Sequence, residues 1–400
     1  MEFIASRMAR IVPSPSIAAM ARAKELIAAG EDVCNMAAGE PDFDTPRYII
    51  EAAYQALLAG ETKYTAVDGT AQLKRAICAK FERDNGLAVR PDQVSVGAGA
   101  KQVLYNILTC SVEDGDEVIV PAPYWVSYPD IVRLNGGVPV FIDTDASSGF
   151  KVTPEQLRKS VTSRTKWFIL NSPNNPSGTV YTQEELVALG EVLRHYPHVR
   201  VLTDDIYEHL IYDGAKYFTF AQVNPDLADR TVTVNGVSKA FAMTGWRIGY
   251  AAGPRDLIKA MEKLQSQTSG NPAAVSQAAA VAALNGSTDF LAGWRAEFEA
   301  RRNRIVELLD GRFGLVCPKP GGAFYVYVSI PTLIGKQTPA GDVIRNDSDF
   351  VMYLLSQYKV ATVQGSAYGV SPAFRISFAT STATIERACK RVLGACASLR

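Results

Sequence analysis

A chain of 400 residues with 47% hydrophobic content can bury a large core and has length enough for two domains. Lysine plus arginine balance aspartate plus glutamate at 41 each, so no long-range field draws in nucleic acid or an anionic membrane, and any anion must be caught locally. The six cysteines form no C-x-x-C pair and there are only three histidines (His195, His198, His209), which argues against a disulfide framework, a zinc site or a histidine triad. Neither a signal-peptide pattern nor an apolar run long enough to cross a bilayer is evident, so a cytoplasmic location is expected.

In chain order, a helical segment over Ile17–Ala29 is followed from about residue 93 to 270 by short β-branched runs alternating with helix-like stretches. The predicted strands are Gln93–Val96, Glu117–Val120, Val138–Ile142, Trp167–Leu170, Arg200–Thr203, Thr231–Val234 and Arg247–Ala252. Runs such as VIV and WFIL are apolar throughout, as strands covered on both faces by helices require, so an α/β fold with a mostly parallel seven-stranded sheet is expected. A charged helix over Trp294–Leu309 and the strands AFYVYV and FRISFA then suggest a smaller α+β unit. The expected division is 1–46 and 291–400 as two parts of one small domain, with 47–290 as the large domain. Leu333–Asp349, rich in Gly, Pro and Asp, reads as an exposed loop without assigned function.

Four constellations carry chemistry. The first, Gly236-Val237-Ser238-Lys239 through Thr244-Gly245-Trp246-Arg247, lies between two predicted strands and combines a lysine among small residues with an arginine able to clamp a phosphate. Asn171-Ser172-Pro173-Asn174-Asn175-Pro176-Ser177-Gly178 follows the strand WFIL, where α/β sheets bind ligands. Thr203-Asp204-Asp205-Ile206-Tyr207-Glu208 stands at another strand end, where an aspartate could equally cap a helix. Gly97-Ala98-Gly99-Ala100-Lys101 opens a helix without the third glycine of a dinucleotide fingerprint, yet the N–H groups of Gly99 to Lys101 could cradle a phosphate.

Together these motifs resemble the class I aminotransferases of fold type I, and most resemble the bacterial aspartate aminotransferase group, over essentially the whole chain from Gly39-Glu40-Pro41-Asp42 to Phe374-Arg375-Ile376-Ser377. The resemblance implies pyridoxal 5'-phosphate as cofactor, bound as a Schiff base on Lys239, which then shuttles a proton between the substrate Cα and the cofactor. It also implies Asp204 at the pyridine nitrogen, with Asp205 as the neighbouring alternative, and Asn175 and Tyr207 at the cofactor's 3'-oxygen. Arg247, Ser238 and the Gly99, Ala100, Lys101 loop would hold the phosphate, and Trp125 would stack on the ring. For substrate, Arg375 would bind the α-carboxylate, with Gly39, Asn175 and Trp125 beside it and Lys101 meeting a distal carboxylate. Tyr64 would reach the phosphate of a neighbouring subunit, implying a homodimer. An amino acid and a 2-oxo acid, aspartate and 2-oxoglutarate by preference, are the implied substrates. Aromatic or prephenate transamination, another pyridoxal chemistry such as a lyase, and a non-enzymatic ligand sensor are the alternatives. The chain departs from the pattern at Ala278, at Gln72 and at Gly236, where some members use a phosphate-binding serine.

Overall fold

The structure, a computed structural model, describes residues 3–400. Among the described residues twelve strands form three sheets: β1 (Cys34–Asn35), β2 (Val94–Gly97), β3 (Glu117–Pro121), β4 (Val138–Ile142), β5 (Thr165–Asn171), β6 (Arg200–Asp204), β7 (Thr231–Gly236), β8 (Gly249–Ala252), β9 (Tyr325–Ser329), β10 (Val360–Ala361), β11 (Val363–Gln364) and β12 (Ala373–Ser377). The central sheet has the order β2-β8-β7-β6-β5-β3-β4, and β8 alone runs antiparallel to its neighbours. Strands β2, β6 and β7 are buried almost end to end, because helices cover both faces; this is why their sequences do not alternate. All seven predicted strands are present.

The last of these needs correction. Strand β8 starts at Gly249, and Arg247 lies before it in the left-handed region (φ 55°) after a 3-10 turn over Thr244–Trp246. Glycine at 249 is required where β8 passes under the helix Ala100–Thr109, since a Cβ would meet Ala100 N at 2.1 Å.

The terminal parts of the chain meet each other: β1 pairs in parallel with β10, and β11, β12 and β9 form an antiparallel sheet in which Arg375 faces Tyr327 in register. The helices Phe290–Leu309, Asp347–Tyr358 and Thr382–Ser398 enclose a core that includes Phe324, Phe350, Phe374 and Phe378. The predicted N-terminal helix spans Pro15–Ala28, with proline pre-set for its first turn. The stretch Leu333–Asp349 is less exposed than its composition suggests: Leu333, Thr338, Ile344 and Asp347 are buried, and Asp347 begins a helix capped by Asn346. Among the described residues no helix is long and apolar enough to cross a membrane.

Candidate active site

The carboxyl ends of the parallel strands converge on a cavity of about 270 Å³, the crevice where α/β sheets bind ligands. Its wall includes Gly39, Ala100, Lys101, Trp125, Asn175 and Asp204, and continues through Tyr207, Ser238, Lys239 and Arg247. Each follows a strand end or a loop facing one, so residues 39 to 247 meet because the sheet aligns their strands.

Lys239 projects into the cavity and donates from Nζ to the Gly39 carbonyl at 2.5 Å. Burial pulls its ammonium down to about 8, and Arg375 and Arg247 lower it against the opposing charges of Glu40 and Asp204. Roughly a tenth of the amine is therefore neutral at pH 7, against well under a thousandth for an ordinary lysine. A neutral amine can act as a nucleophile.

Asp204 is buried and accepts a hydrogen bond from Tyr128 Oη at 2.6 Å. Burial raises its carboxyl to about 6, with Tyr128, the Ile206 N–H and Lys239 opposing the rise. Asp205, just past the end of β6, is not on this wall; its carboxylate accepts the Thr219 hydroxyl at 2.6 Å. Asp204 is thus the member of the pair on the wall. Tyr207 is buried beside it, its hydroxyl 2.9 Å from that of Tyr325.

At the opposite end stands the helix Ala100–Thr109, whose Ala100 and Lys101 N–H groups precede its first backbone hydrogen bond, from Gln102 N–H to the Gly99 carbonyl at 3.0 Å. Gly99 differs from expectation, because its own N–H is bound to the Gly97 carbonyl at 2.8 Å and does not face a ligand. Its contribution is the missing side chain: a Cβ at 99, where φ is 91°, would meet Arg247 Nη2 at 2.2 Å. Arg247 is held by the carbonyls of Thr244 (2.9 Å) and Ala98 (3.2 Å), leaving guanidinium and helix N-terminus side by side. Ser238 lines the cavity, whereas a side chain at Gly236 would crowd the Ile248 carbonyl at 2.9 Å, which accounts for glycine there.

Arg375 stands one side chain back from the wall. Nη1 donates to Asn175 Oδ1 (2.9 Å) and Nη2 to the Ala37 carbonyl (2.8 Å), the guanidinium lies 4.3 Å from the Tyr325 ring centre, and Nε has no partner among the described residues. Both hydrogen-bond acceptors are neutral. Lys101, exposed overall, carries its ammonium 4.8 Å above the Trp125 ring, and partial desolvation together with the Arg247 charge lowers its affinity for a proton. Tyr64 is 97% exposed and absent from this cavity. Ala278 and Gln72 also lie off the wall, the first within the helix Ala274–Asn285 and the second in the exposed first turn of the helix Ala71–Asn85.

Sequence reasoning missed Tyr128, Asn171 and Tyr325. Asn171 binds the Asp204 carbonyl (2.8 Å) and the Asn175 N–H (2.9 Å), tying two strand ends together. Only the aromatic run Tyr124-Trp125-Val126-Ser127-Tyr128 hinted at Tyr128.

The chain that builds this cavity, with its buried amine, buried carboxylate and arginine beside a helix N-terminus, is matched over residues 31–392 by the family model "Aminotransferase class I and II". The chain belongs to this family. It is 54% identical over 399 residues, the whole length of both chains, to the aspartate/prephenate aminotransferase of Cereibacter sphaeroides. The crystal structure of the aspartate aminotransferase from Rhizobium meliloti superposes with a TM-score of 0.96 at 51% identity, covering all of both chains. The Thermus thermophilus aspartate aminotransferase with maleate gives 0.92 at 39% identity, covering 99% of this chain and 100% of that one.

As an aminotransferase of this class the enzyme uses pyridoxal phosphate. The cavity fits that group in its own terms. The space a Cβ would fill at Gly99 lies at the Arg247 guanidinium and helix N-terminus, suited to a phosphate, and the buried Asp204 carboxylate suits a protonated ring nitrogen.

Proposed function

We propose that this aminotransferase takes an acidic amino acid, aspartate foremost, as donor and a 2-oxo acid, 2-oxoglutarate foremost, as acceptor. The observation that carries the reading is a pair of cations at one cavity, Arg375 behind Asn175 and Lys101 over Trp125, whose close partners are neutral carbonyl, amide or aromatic groups. A desolvated guanidinium among neutral acceptors is costly until a carboxylate joins it. Lys101, exposed at the same cavity, adds a second cation, so the pair matches a substrate with two carboxylates, and the Thermus structure is of the enzyme with maleate, itself a dicarboxylate.

In this reading Arg375 and Asn175 hold the α-carboxylate and Lys101 the distal one, which fixes the Cα–H bond relative to Lys239. Pyridoxal phosphate, when bound, supplies an aldehyde that captures an amine and a ring that withdraws electrons from Cα. Lys239 Nζ is the attachment point and, once released, the base that takes the Cα proton. Asp204 keeps a positive charge on the ring nitrogen favourable, and Tyr128 keeps Asp204 ionised. Tyr207 and Asn175 would bind the cofactor's ring oxygen, Arg247, Ser238 and the Ala100 and Lys101 N–H groups would hold its phosphate, and Trp125 would cover its ring.

Prephenate, a 2-oxo acid with a second carboxylate, is favoured as a further acceptor by the apolar side chains of Met20 and Leu104 on the same wall and by the Cereibacter relative's activity. A homodimer is the proposed assembly. Tyr48, Ile50, Tyr54, Leu57 and Leu58 expose apolar surface on the helix Arg47–Leu58, near enough in sequence to Tyr64 for one face to cover both. Tyr64 then serves the neighbouring cavity. A donor panel tests the substrate assignment: kcat/KM with 2-oxoglutarate should rank aspartate above phenylalanine and alanine. A reversed order would remove Lys101 from substrate recognition.

A further inference from the structure

Beneath the cavity, Glu208 forms the centre of a buried polar cluster that none of the roles above uses. Its side chain is 3% exposed and Lys80, which pairs with it, is 1% exposed. Asn85 Nδ2 donates to Oε2 at 2.7 Å, Asn235 Nδ2 donates to Oε1 at 2.8 Å, and Lys80 Nζ donates to Asn85 Oδ1 at 2.7 Å. The Asn235 side chain is itself oriented, because its Oδ1 accepts the Gly236 N–H at 2.8 Å. His209 Nε2 lies 3.3 Å from Glu208 Oε1 and 3.7 Å from Asp84 Oδ2. Asp84, Glu208 and His209 are grouped closely enough to suggest a metal site, but the Lys80 ammonium already supplies the cation.

The position of this cluster matters more than its energy. Glu208 follows Tyr207 directly, in the segment leaving β6, while Asn235 and Gly236 end β7 and lead to Ser238 and Lys239. Lys80 and Asn85 belong to the helix Ala71–Asn85, packed outside the sheet. One carboxylate thus joins the two strand ends that present Asp204 and Tyr207 on one side and Lys239 on the other to a common support. Burial pushes the Glu208 carboxyl up, but the Lys80 ammonium first, with His209 and Asn85, overcomes this and holds it below the usual carboxylate range. A hydrophobic group would fill the volume at lower desolvation cost, which leaves directional anchoring as the property the ion pair adds.

We propose that Glu208, gripped by Lys80, Asn85 and Asn235, is a positioning residue for transamination: it sets the spacing of Tyr207 and Asp204 from Lys239. The proposal rests on the function assigned above. It concerns groups that act on the reacting centre and not those that hold the substrate carboxylates, so it separates kcat from KM. A shift of about 1 Å in a reacting group costs up to about a hundredfold in rate.

The test compares wild type, Glu208→Gln and the double variant Glu208→Gln/Lys80→Met, which also removes the stranded buried ammonium. Each is measured for Tm without cofactor, for kcat and KM with aspartate, and for the pH midpoint of the bound cofactor's visible absorbance, which reports the spacing of Tyr207 and Asn175 from the Lys239 nitrogen. The expected result is a kcat lower by about ten- to a hundredfold with KM within about twofold, and a displaced absorbance midpoint in whichever variants fold. The double variant should show this even where its Tm returns to that of wild type. A lowered Tm with unchanged kcat and midpoint would make the cluster merely structural and overturn the proposal. Wild type without a visible band on addition of pyridoxal phosphate would overturn the functional assignment itself, so the two failures are distinct.

Discussion

Tyr128 gives its hydroxyl proton to Asp204 Oδ2 at 2.6 Å, and both side chains are buried. Burial drives the Tyr128 hydroxyl far above its ordinary range, with the Asp204 charge adding to the rise, so the tyrosine remains a donor at any working pH. The aspartate beside it has been raised by burial to about 6, and this hydrogen bond opposes the rise more than any other contact. A carboxylate meant to pair with a ring nitrogen is thereby kept ionised near neutrality.

Removing that donor should weaken cofactor binding. A hydrogen bond to a charged group contributes about 1.5 to 3 kcal/mol, so Tyr128→Phe is expected to raise the Kd for pyridoxal phosphate by on the order of ten- to a hundredfold. Absorbance titration of the apoprotein measures it; an unchanged Kd would show that Asp204 needs no help from Tyr128.

Asp204 also makes a stability prediction. Its folded value of about 6 lies above the unfolded value near 4, so the folded state holds the proton more tightly between them, and stability is lost as pH rises through that window. Above about pH 6 the apoprotein carries the full cost, on the order of 1 to 3 kcal/mol. Asp204→Asn should therefore raise the Tm of the apoprotein at pH 8, with the gain vanishing near pH 4, while weakening cofactor binding. Equal melting temperatures at both pH values would contradict this.

For Lys239 the sign is opposite. Its proton affinity is depressed to about 8, so the fraction of neutral amine grows as pH rises and levels off above that value. The rate at which pyridoxal phosphate attaches covalently to the apoprotein should follow the same curve, and Lys239→Ala should bind the cofactor reversibly without attachment. A rate still rising steeply at pH 10 would place the lysine in a solvated setting.

At the anion end, Gly99→Ala places a methyl group 2.2 Å from Arg247 Nη2 on a backbone with φ 91°. Arg247 must move, and inorganic phosphate as well as the cofactor should bind about tenfold or more weakly. Calorimetry on the apoprotein decides it, and unchanged phosphate affinity would release Gly99 from the role.

Local signals carried much of this architecture. Apolar runs such as Trp167-Phe168-Ile169-Leu170 identified buried strands because helices on both faces remove alternation, and the turn chemistry after each strand marked the crevice. What escaped depends on contacts made across long sequence separations. The hydroxyl of Tyr128 meets a carboxylate 76 residues away, and Glu208 meets Asn85 at a separation of 123, pairings that no local pattern encodes. Arg247 reads as a strand residue because it opens the run Ile248-Gly249-Tyr250-Ala251-Ala252; its left-handed backbone follows a 3-10 turn that only the fold reveals. Nor does a local pattern tell Asp204 from Asp205: the first lines the cavity and meets Tyr128, while the second meets Thr219.

The most direct test of the central claim is a single half-reaction. The purified enzyme, loaded with pyridoxal phosphate and given aspartate with no acceptor, should convert its cofactor stoichiometrically to pyridoxamine phosphate and release one oxaloacetate per site. A cofactor spectrum that aspartate leaves unchanged, with no oxaloacetate formed, would contradict the assignment of Arg375 and Lys101 to an acidic donor.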